Sequence, residues 1–256
     1  MKKLLIVLIL VISFGCSSKK IADQPVPVKA VTKPVSENVA GQSVPESGIE
    51  EKYGKLLQEG YKNLLSRNTK ESIDKYFNPI IEAYNTHYGN NGKRVYCSRG
   101  QAETLFYLLE ASKNNEDAVV ISYLWSNAFY FKGYASLDLG KIEEAITVIN
   151  KAIELSPLNS MYLSELGHIY QTQRKWNEAM DLYKRAEESA NEFSPEHVKN
   201  TELTRALRGI GYSLIELGRL DEAEEKYKKC LEINKNDKKA INELKYIQSI
   251  RDKNNS

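Results

Sequence analysis

The chain has 256 residues, which is enough for one large domain or two small ones with a sizeable hydrophobic core. It carries 36 Lys and Arg against 34 Asp and Glu, so its net charge gives no electrostatic reason to expect nucleic acid as a partner. Three cysteines are too few for a disulfide framework, and the hydrophobic and charged fractions, 41% and 27%, are typical of a folded domain.

The first fifteen residues have the layout of a secretory signal peptide. A cationic start at Lys2 and Lys3 precedes an unbroken apolar run over residues 4–12, and small residues stand just before Cys16. This apolar run is too short to cross a hydrocarbon core of about 30 Å as a helix. We therefore predict that residues 1–15 are a signal peptide and are removed.

Cys16 and its neighbours resemble the lipobox of bacterial lipoproteins, although Ser13 stands where the usual leucine would be. The resemblance implies lipidation: the Cys16 thiol takes a diacylglycerol, the chain is cut before it, and the new amino terminus is acylated. Several acyl chains anchor a protein stably to a membrane. Ser17 resembles the sorting signal for the outer membrane of Gram-negative bacteria, which implies a lipid-anchored protein that faces the periplasm. An ordinary signal peptide with an incidental Cys16 is the alternative.

Residues 16–48 are predicted to be a flexible tether. They are rich in Pro, Val, Ser and Lys and contain no aromatic residue, so they cannot bury enough apolar surface to offset the entropy of ordering. About thirty residues of polyproline character, at about 3.1 Å each, reach several tens of ångströms. This length would hold a folded domain clear of the membrane.

Three later segments repeat one pattern of small and large residues. Each begins with a glycine, Gly133, Gly167 or Gly211, and has small residues twelve and nineteen positions after it. These small residues are Ala145 and Ala152, Ala179 and Ala186, and Ala223 and Cys230. Large residues stand sixteen positions after each glycine, namely Ile149, Tyr183 and Tyr227. Small residues let two helices approach closely, while large ones fill the space between successive helix pairs.

This pattern resembles the tetratricopeptide repeat, a unit of two antiparallel helices in 34 residues. The resemblance implies an all-α fold, a right-handed α-solenoid of helix pairs, within a domain of residues 116–253. Its repeats are expected near residues 126–159, 160–193 and 204–237. Ten extra residues separate the second and third repeats, where Ser194 and Pro195 predict the N-cap and first turn of a lengthened helix. Amphipathic residues 238–251 predict a C-terminal capping helix. A non-repeating helical bundle is the alternative.

Residues 49–115 are predicted to be an irregular helical region, a degenerate repeat that lacks the pair of small residues. Amphipathic spacing and a loop signal near residues 89–92 divide it into several elements. We expect helices over residues 50–66, 69–86 and 98–112, and then one long helix over residues 116–139 that leads into the first clear repeat.

The sequence contains no recognisable catalytic or metal-binding motif. His87, His168 and His197 are far apart, and no phosphate-binding loop or nucleophile elbow is present. We therefore predict a protein that is not an enzyme and uses no metal and no cofactor. One alternative stays open, in which the chain is a subunit of an envelope enzyme complex with a functional Cys97 near His87. Cys97 and Cys230 are predicted to be free thiols, with Cys230 in the core.

In tetratricopeptide arrays the first helix of each repeat lines a concave surface that binds peptides. The repeat register predicts a partner-binding groove formed by Tyr130, Tyr134, Asp138, His168, Gln171, Arg205, Arg208 and Tyr212. The same projection places Asn127, Ser164 and Glu216 beside them. Tyrosine and arginine are enriched at recognition surfaces, although each of these residues could instead pack between helices. Tyr130 and Tyr134 stand where the family's chaperone-binding carboxylate clamp carries Lys and Asn, so capture of a chaperone tail is not expected.

These observations favour a membrane-anchored, non-enzymatic scaffold or adaptor that binds a protein or peptide partner in the bacterial cell envelope. It would be similar to the pilotins of type IV pili or to adaptors of cell-wall hydrolases. Removing residues 1–15 takes away two lysines and leaves equal numbers of basic and acidic residues, which argues for protein over nucleic acid. Homo-oligomerisation and the identity of the partner are left open.

Overall fold

A computed structural model of the protein describes residues 46–90 and 92–254. Cys16, Ser17 and the predicted tether as far as residue 45 lie outside them, whereas residues 46–48, predicted as the end of the tether, belong to the first helix. The first helices are α1 (Glu46–Leu65), α2 (Thr69–Ser72) and α3 (Asn78–Tyr88), with a π-helical segment (Ile73–Phe77) between α2 and α3. Strand β1 (Arg94–Ser98), helix α4 (Gln101–Lys113) and strand β2 (Ala118–Ser122) follow. The remaining helices are α5 (Leu124–Asp138), α6 (Ile142–Leu155), α7 (Ser160–Thr172), α8 (Trp176–Glu192), α9 (Glu196–Glu216), α10 (Leu220–Ile233) and α11 (Lys238–Asn254).

Helices α5 to α10 form three consecutive pairs, α5 with α6, α7 with α8 and α9 with α10, and each pair packs on the next. The leading glycines lie where the helices of a pair approach most closely. A Cβ atom at Gly133 would stand 2.6 Å from Cδ1 of Ile149, and one at Gly211 would stand 2.8 Å from the Tyr227 ring. All six small residues of the pattern are fully buried. The all-α solenoid of helix pairs is therefore confirmed.

The turn inside each pair contains one residue with left-handed backbone. Gly140 has a φ of 76° and Gly218 a φ of 74°, but the second turn places Arg174 there with a φ of 59°. Glycine adopts this conformation freely, whereas a residue with a side chain loses about 1–2 kcal/mol. The turn between α7 and α8 is therefore strained at Arg174.

Helices α1 to α3 pack on α5 at the N-terminal end of the solenoid. The rings of Tyr61 and Phe77 lie 5.0 Å and 5.8 Å from the ring of Phe131, measured between centroids. A Cβ atom at Gly60 would stand 2.6 Å from Cβ of Tyr76. Gly60 is therefore the small residue that lets α1 approach the π-helical segment closely. The predicted helix over residues 69–86 is present but is interrupted by the π-helical segment.

Residues 94–122 form a β-α-β unit. The helix expected over residues 98–112 is present as α4, and a strand lies on each side of it in the sequence. Strands β1 and β2 pair in parallel, with Val95 opposite Val119 and Cys97 opposite Ile121, and α4 is the crossover between them. The prediction of one helix over residues 116–139 is wrong, because β2 takes its first part. Residues 118–121 read Ala-Val-Val-Ile, and β-branched residues favour a strand once a partner strand is available.

The lengthened helix and the capping helix are both present, with different caps. Helix α9 begins after Pro195, but Ser194 does not cap it; the Ser194 hydroxyl instead donates a hydrogen bond to Glu202. Helix α11 is capped by Asp237, whose Oδ1 accepts hydrogen bonds from the backbone N–H groups of Lys239 and Ala240 at 3.0 Å and 3.2 Å. The capping helix is thereby fixed to the end of the last repeat.

Candidate partner-binding groove

The first helices of the three pairs, α5, α7 and α9, lie side by side, so equivalent positions form a row across them. Tyr134, His168 and Tyr212 each follow the leading glycine of a repeat by one residue. Tyr134 and His168 are half-buried, and Tyr212 is 40% exposed, with its ring against that of Trp176. We call Tyr134, His168 and Tyr212 the groove row.

Two of the predicted groove residues lie inside the solenoid. Tyr130 is fully buried, and its ring stacks on that of Tyr162 at 5.1 Å between centroids. The side-chain nitrogen of Gln171 donates hydrogen bonds to the Gly209 carbonyl at 2.8 Å and to the Ser213 hydroxyl at 3.0 Å. The predicted surface position of Tyr130 and Gln171 is therefore wrong, because both side chains pack between neighbouring helices.

Arg205 is also buried, in an ion pair with Glu165. Nη2 of Arg205 lies 2.5 Å from Oε2 of Glu165, and the two residues are 8% and 1% exposed. Buried charges must be paired, because taking a lone charge out of water is costly. The pair joins α9 to α7. Glu165 thereby neutralises Arg205, which was predicted to contact a partner protein.

Arg208 and Asp138 also have partners within the chain. Nη1 of half-buried Arg208 lies 2.5 Å from Oδ2 of Asp237, the residue that caps α11. Asp138 is exposed at the end of α5, and its Oδ2 accepts a hydrogen bond from the Thr69 hydroxyl at 2.9 Å. Arg208 thus joins α9 to the cap of α11, and Asp138 joins α5 to α2.

The groove row is consequently a surface of rings that carries no formal charge at neutral pH. Burial lowers the pKa of His168 below its ordinary value, so its imidazole is neutral there. Burial raises the pKa of Tyr134, which keeps the phenol protonated. Such rings can stack on apolar side chains and exchange hydrogen bonds through their polar atoms. They are poorly suited to hold a carboxylate.

The buried acids are the important residues that sequence reasoning missed. Glu165 lies within residues 161–169, of which all but His168 are buried, and Asp237 is only 6% exposed. In the sequence Glu165 stands among the apolar residues Leu163 and Leu166, and an acidic residue within an apolar helical stretch indicates a buried cationic partner. That signal could have identified Glu165, but it does not say which arginine is the partner.

A second buried polar cluster ties the β-α-β unit to the repeats. The backbone N–H of Arg99 donates to Oε2 of Glu103 at 2.7 Å, and its Nη1 donates to Oε1 of Glu202 at 2.7 Å. Glu103 is 1% exposed and Glu202 is 3% exposed. Burial raises the pKa of Glu103, against the opposing effect of the Arg99 charge. This cluster joins the beginning of α4 to the lengthened part of α9.

Cys97 is fully buried on β1, and burial raises the pKa of its thiol to about 12. A thiol with this pKa is protonated at neutral pH and is a poor nucleophile. His87 is exposed, with its ring against Tyr88. Cys97 and Cys230 are both free, as predicted, and Cys230 is buried in the core, as also predicted. Across residues 46–90 and 92–254, no three His, Cys, Asp or Glu side chains are grouped so as to hold a metal ion.

Comparison with known proteins identifies the regular part of the chain. Two family models, both described as tetratricopeptide repeat, match residues 126–157 and 158–236. Serine/threonine-protein phosphatase T of Trypanosoma brucei brucei is 33% identical over 115 residues, which are 44% of this chain and 23% of that protein. The chain spans about a fifth of the length of the curated relatives that it matches.

Two solved structures have a similar fold. PilF of Pseudomonas aeruginosa superposes with a TM-score of 0.55 at 14% identity, over 80% of this chain and 72% of that one. A double mutant of MamA from Desulfovibrio magneticus RS-1 gives a TM-score of 0.50 at 14% identity, over 79% and 86% of the two chains. The two family models, the glycine and alanine register and the stacked helix pairs show that residues 126–236 are tetratricopeptide repeats.

Proposed function

We propose that the protein is a non-enzymatic scaffold that binds a polypeptide partner along the groove row. The observation that carries this proposal is the position of Tyr134, His168 and Tyr212, which recur at one register position on α5, α7 and α9 and keep exposed surface. Stacked repeats create extended concave surfaces suited to binding a polypeptide. Aromatic side chains contribute most to such surfaces, because each offers a large contact area and a polar group.

The partner segment should present apolar or aromatic side chains rather than an acidic terminus. Arg205 and Arg208 are the groove cations suggested by the sequence, and each already lies 2.5 Å from a carboxylate of this chain. Withdrawing either arginine to bind an external acid would leave Glu165 or Asp237 buried without its cation. A neutral partner segment requires no such rearrangement.

A photoreactive amino acid placed at Tyr212 tests this proposal in cells. The matched control position is Tyr246, which is 53% exposed on α11, outside the groove row. We expect a discrete crosslinked product from Tyr212 that is absent from Tyr246, and mass spectrometry would identify the protein attached. The same products from both positions, or none from Tyr212 in the folded protein, would contradict the proposal.

We also propose that the protein is lipid-anchored through Cys16 in the bacterial cell envelope, with Ser17 directing it to the outer membrane. Support comes from the apolar run over residues 4–12 and the small residues before Cys16. Metabolic labelling with palmitate should be lost in Cys16→Ala and kept in Cys230→Ala, a buried cysteine. Equal labelling of the two variants would overturn the anchor.

Among residues 46–90 and 92–254, no helix is both long enough and apolar enough to cross a bilayer.

A further inference from the structure

One side of α4 exposes three leucines. Leu105 is 61% exposed, Leu108 42% and Leu109 52%. Residues spaced by three and four positions lie together on a helix surface, so the three form one patch, which we call the leucine face. The other exposed residues of α4 before Lys113 are Gln101, Ala102 and Ser112, none of which is charged. Lys113, four residues after Leu109, is the charged residue at the end of this side, and it is paired with Glu110. A contiguous exposed apolar patch is typical of a binding surface.

The leucine face continues onto the repeats through two phenylalanines. Phe106 follows Leu105 on α4, and its ring meets the ring of Phe193 edge to face at 5.1 Å between centroids. Phe193 lies in the loop between α8 and α9, and both phenylalanines are half-buried. Because Arg99 and Glu202 join α4 to α9, this composite surface exists before any partner binds.

Four exposed acidic residues stand close in sequence to this surface. Glu192 precedes Phe193 and Glu196 begins α9, while Glu116 and Asp117 follow α4. All four are exposed, and none forms an ion pair with another of the residues that the structure describes. Glu110, by contrast, is paired with Lys113 at 2.6 Å. The segments next to α4 and Phe193 thus carry four carboxylates whose charge is not compensated by an ion pair.

We propose that the leucine face, with Phe106 and Phe193, binds an amphipathic helix of a partner protein that carries Lys or Arg beside its apolar stripe. An apolar stripe on the partner would cover the leucines and phenylalanines, as helices do in recognition grooves. Basic residues beside that stripe would meet Glu192 and Glu196. A second copy of this chain fits less well, because it would bring one set of these carboxylates against another. The surface lies on α4 and the α8–α9 loop and shares no residue with the groove row.

A synthetic amphipathic helix of about five turns, built from leucine and lysine, is the probe, and its control has glutamate in place of lysine. With the full chain, fluorescence anisotropy should show saturable binding of the lysine probe and at least about tenfold weaker binding of the glutamate probe. Leu105→Glu with Leu109→Glu should weaken binding of the lysine probe at least about tenfold. The matched control, Leu139→Glu, changes a leucine that is 42% exposed at the end of α5 and should leave binding unchanged.

Two further variants separate this surface from others. Glu192→Lys with Glu196→Lys should reverse the preference, so that the glutamate probe binds more tightly than the lysine probe. Tyr212→Glu alters the groove row and should leave probe binding unchanged, which separates this proposal from the proposed function. Equal probe affinity in the wild type and the double leucine variant, or no response to the charge reversal, would overturn the proposal.

Labelling at Leu109→Cys reports whether the chain covers this surface itself. We expect rapid maleimide labelling at this position at all protein concentrations, as mass spectrometry of the labelled peptide would show. Slow labelling at every concentration would mean that another part of the chain occupies the surface. Slow labelling only at high concentration would mean that a second copy does. Either result would overturn the proposed occupant.

Discussion

The repeats over residues 126–236 and the β-α-β unit over residues 94–122 are held together by different means. In the repeats, glycine and alanine at fixed spacing admit large side chains, and each pair buries its apolar face on the next. The β-α-β unit is tied to α9 through Arg99, and it leaves three leucines of α4 exposed. In the repeats, each helix pair thus buries its apolar face on its neighbour. The β-α-β unit instead leaves the leucines of α4 exposed, and the repeats do not cover them.

The largest effect should come from breaking the ion pair inside the repeats. Arg205→Ala leaves Glu165 buried without its cation, and we expect the free energy of unfolding to fall by about 3–5 kcal/mol. Arg205→Met with Glu165→Leu should recover most of that loss, because no charge is then buried. Chemical denaturation measures both. A loss below about 1 kcal/mol for Arg205→Ala would mean that the pair does not hold α7 and α9 together.

A close approach between successive repeats gives the second effect. In Gly209→Ala the new Cβ would stand 2.3 Å from the ring of Tyr183, so the helices must separate. We expect a loss of about 1–3 kcal/mol in the free energy of unfolding. Gly54→Ala is the matched control, since no atom lies within 4 Å of its Cβ position on α1. It should instead stabilise the chain by up to about 1 kcal/mol.

The β-α-β unit should respond locally when its link to α9 is removed. Arg99→Ala leaves Glu103 and Glu202 buried without their shared cation. We expect amide hydrogen exchange in residues 94–122 to accelerate by about tenfold, with little change in α5 to α8. Equal acceleration throughout the chain would show instead that the unit and the repeats unfold together as one cooperative unit.

His168 should make stability depend on pH from within the groove row. Burial lowers the pKa of His168 in the folded state. The stability that its neutral imidazole contributes is therefore complete above the unfolded pKa of about 6.5 and is lost as the pH falls through the folded pKa. Between pH 7 and pH 5, the free energy of unfolding of the wild type should fall more steeply than that of His168→Gln. The difference in slope is at most about 1.4 kcal/mol per pH unit. Parallel curves would show that His168 titrates alike in both states.

The smallest effect concerns the turn between α7 and α8. Arg174 has a φ of 59° where the other two turns have glycine, so Arg174→Gly should relieve backbone strain. We expect stabilisation by about 0.5–1 kcal/mol, since the glycine also adds entropy to the unfolded chain. Thermal unfolding would measure this, and a destabilised variant would show that the Arg174 side chain contributes more than the strain costs.

The repeats could be predicted because their signal is local and recurs. Gly133, Gly167 and Gly211 set a register that places Tyr134, His168 and Tyr212 at one equivalent position of α5, α7 and α9, where each keeps exposed surface. The pairing of β1 with β2 could not be predicted, since residues 118–121 fit a buried helix as well as a strand and the partner strand is about twenty residues away. The burial of Arg205 depends on Glu165, which is forty residues earlier and belongs to another repeat.

Partner capture by a variant without the buried ion pair separates the two roles assigned to these helices. We claim that the groove row binds the partner and that Arg205 only holds the helices in place. In cells, crosslinking from Tyr134 should give the wild-type product in Arg205→Met with Glu165→Leu, and should lose it in His168→Ala with Tyr212→Ala, both variants being folded. Loss of the product in the ion-pair variant together with its retention in the groove-row variant would contradict the claim.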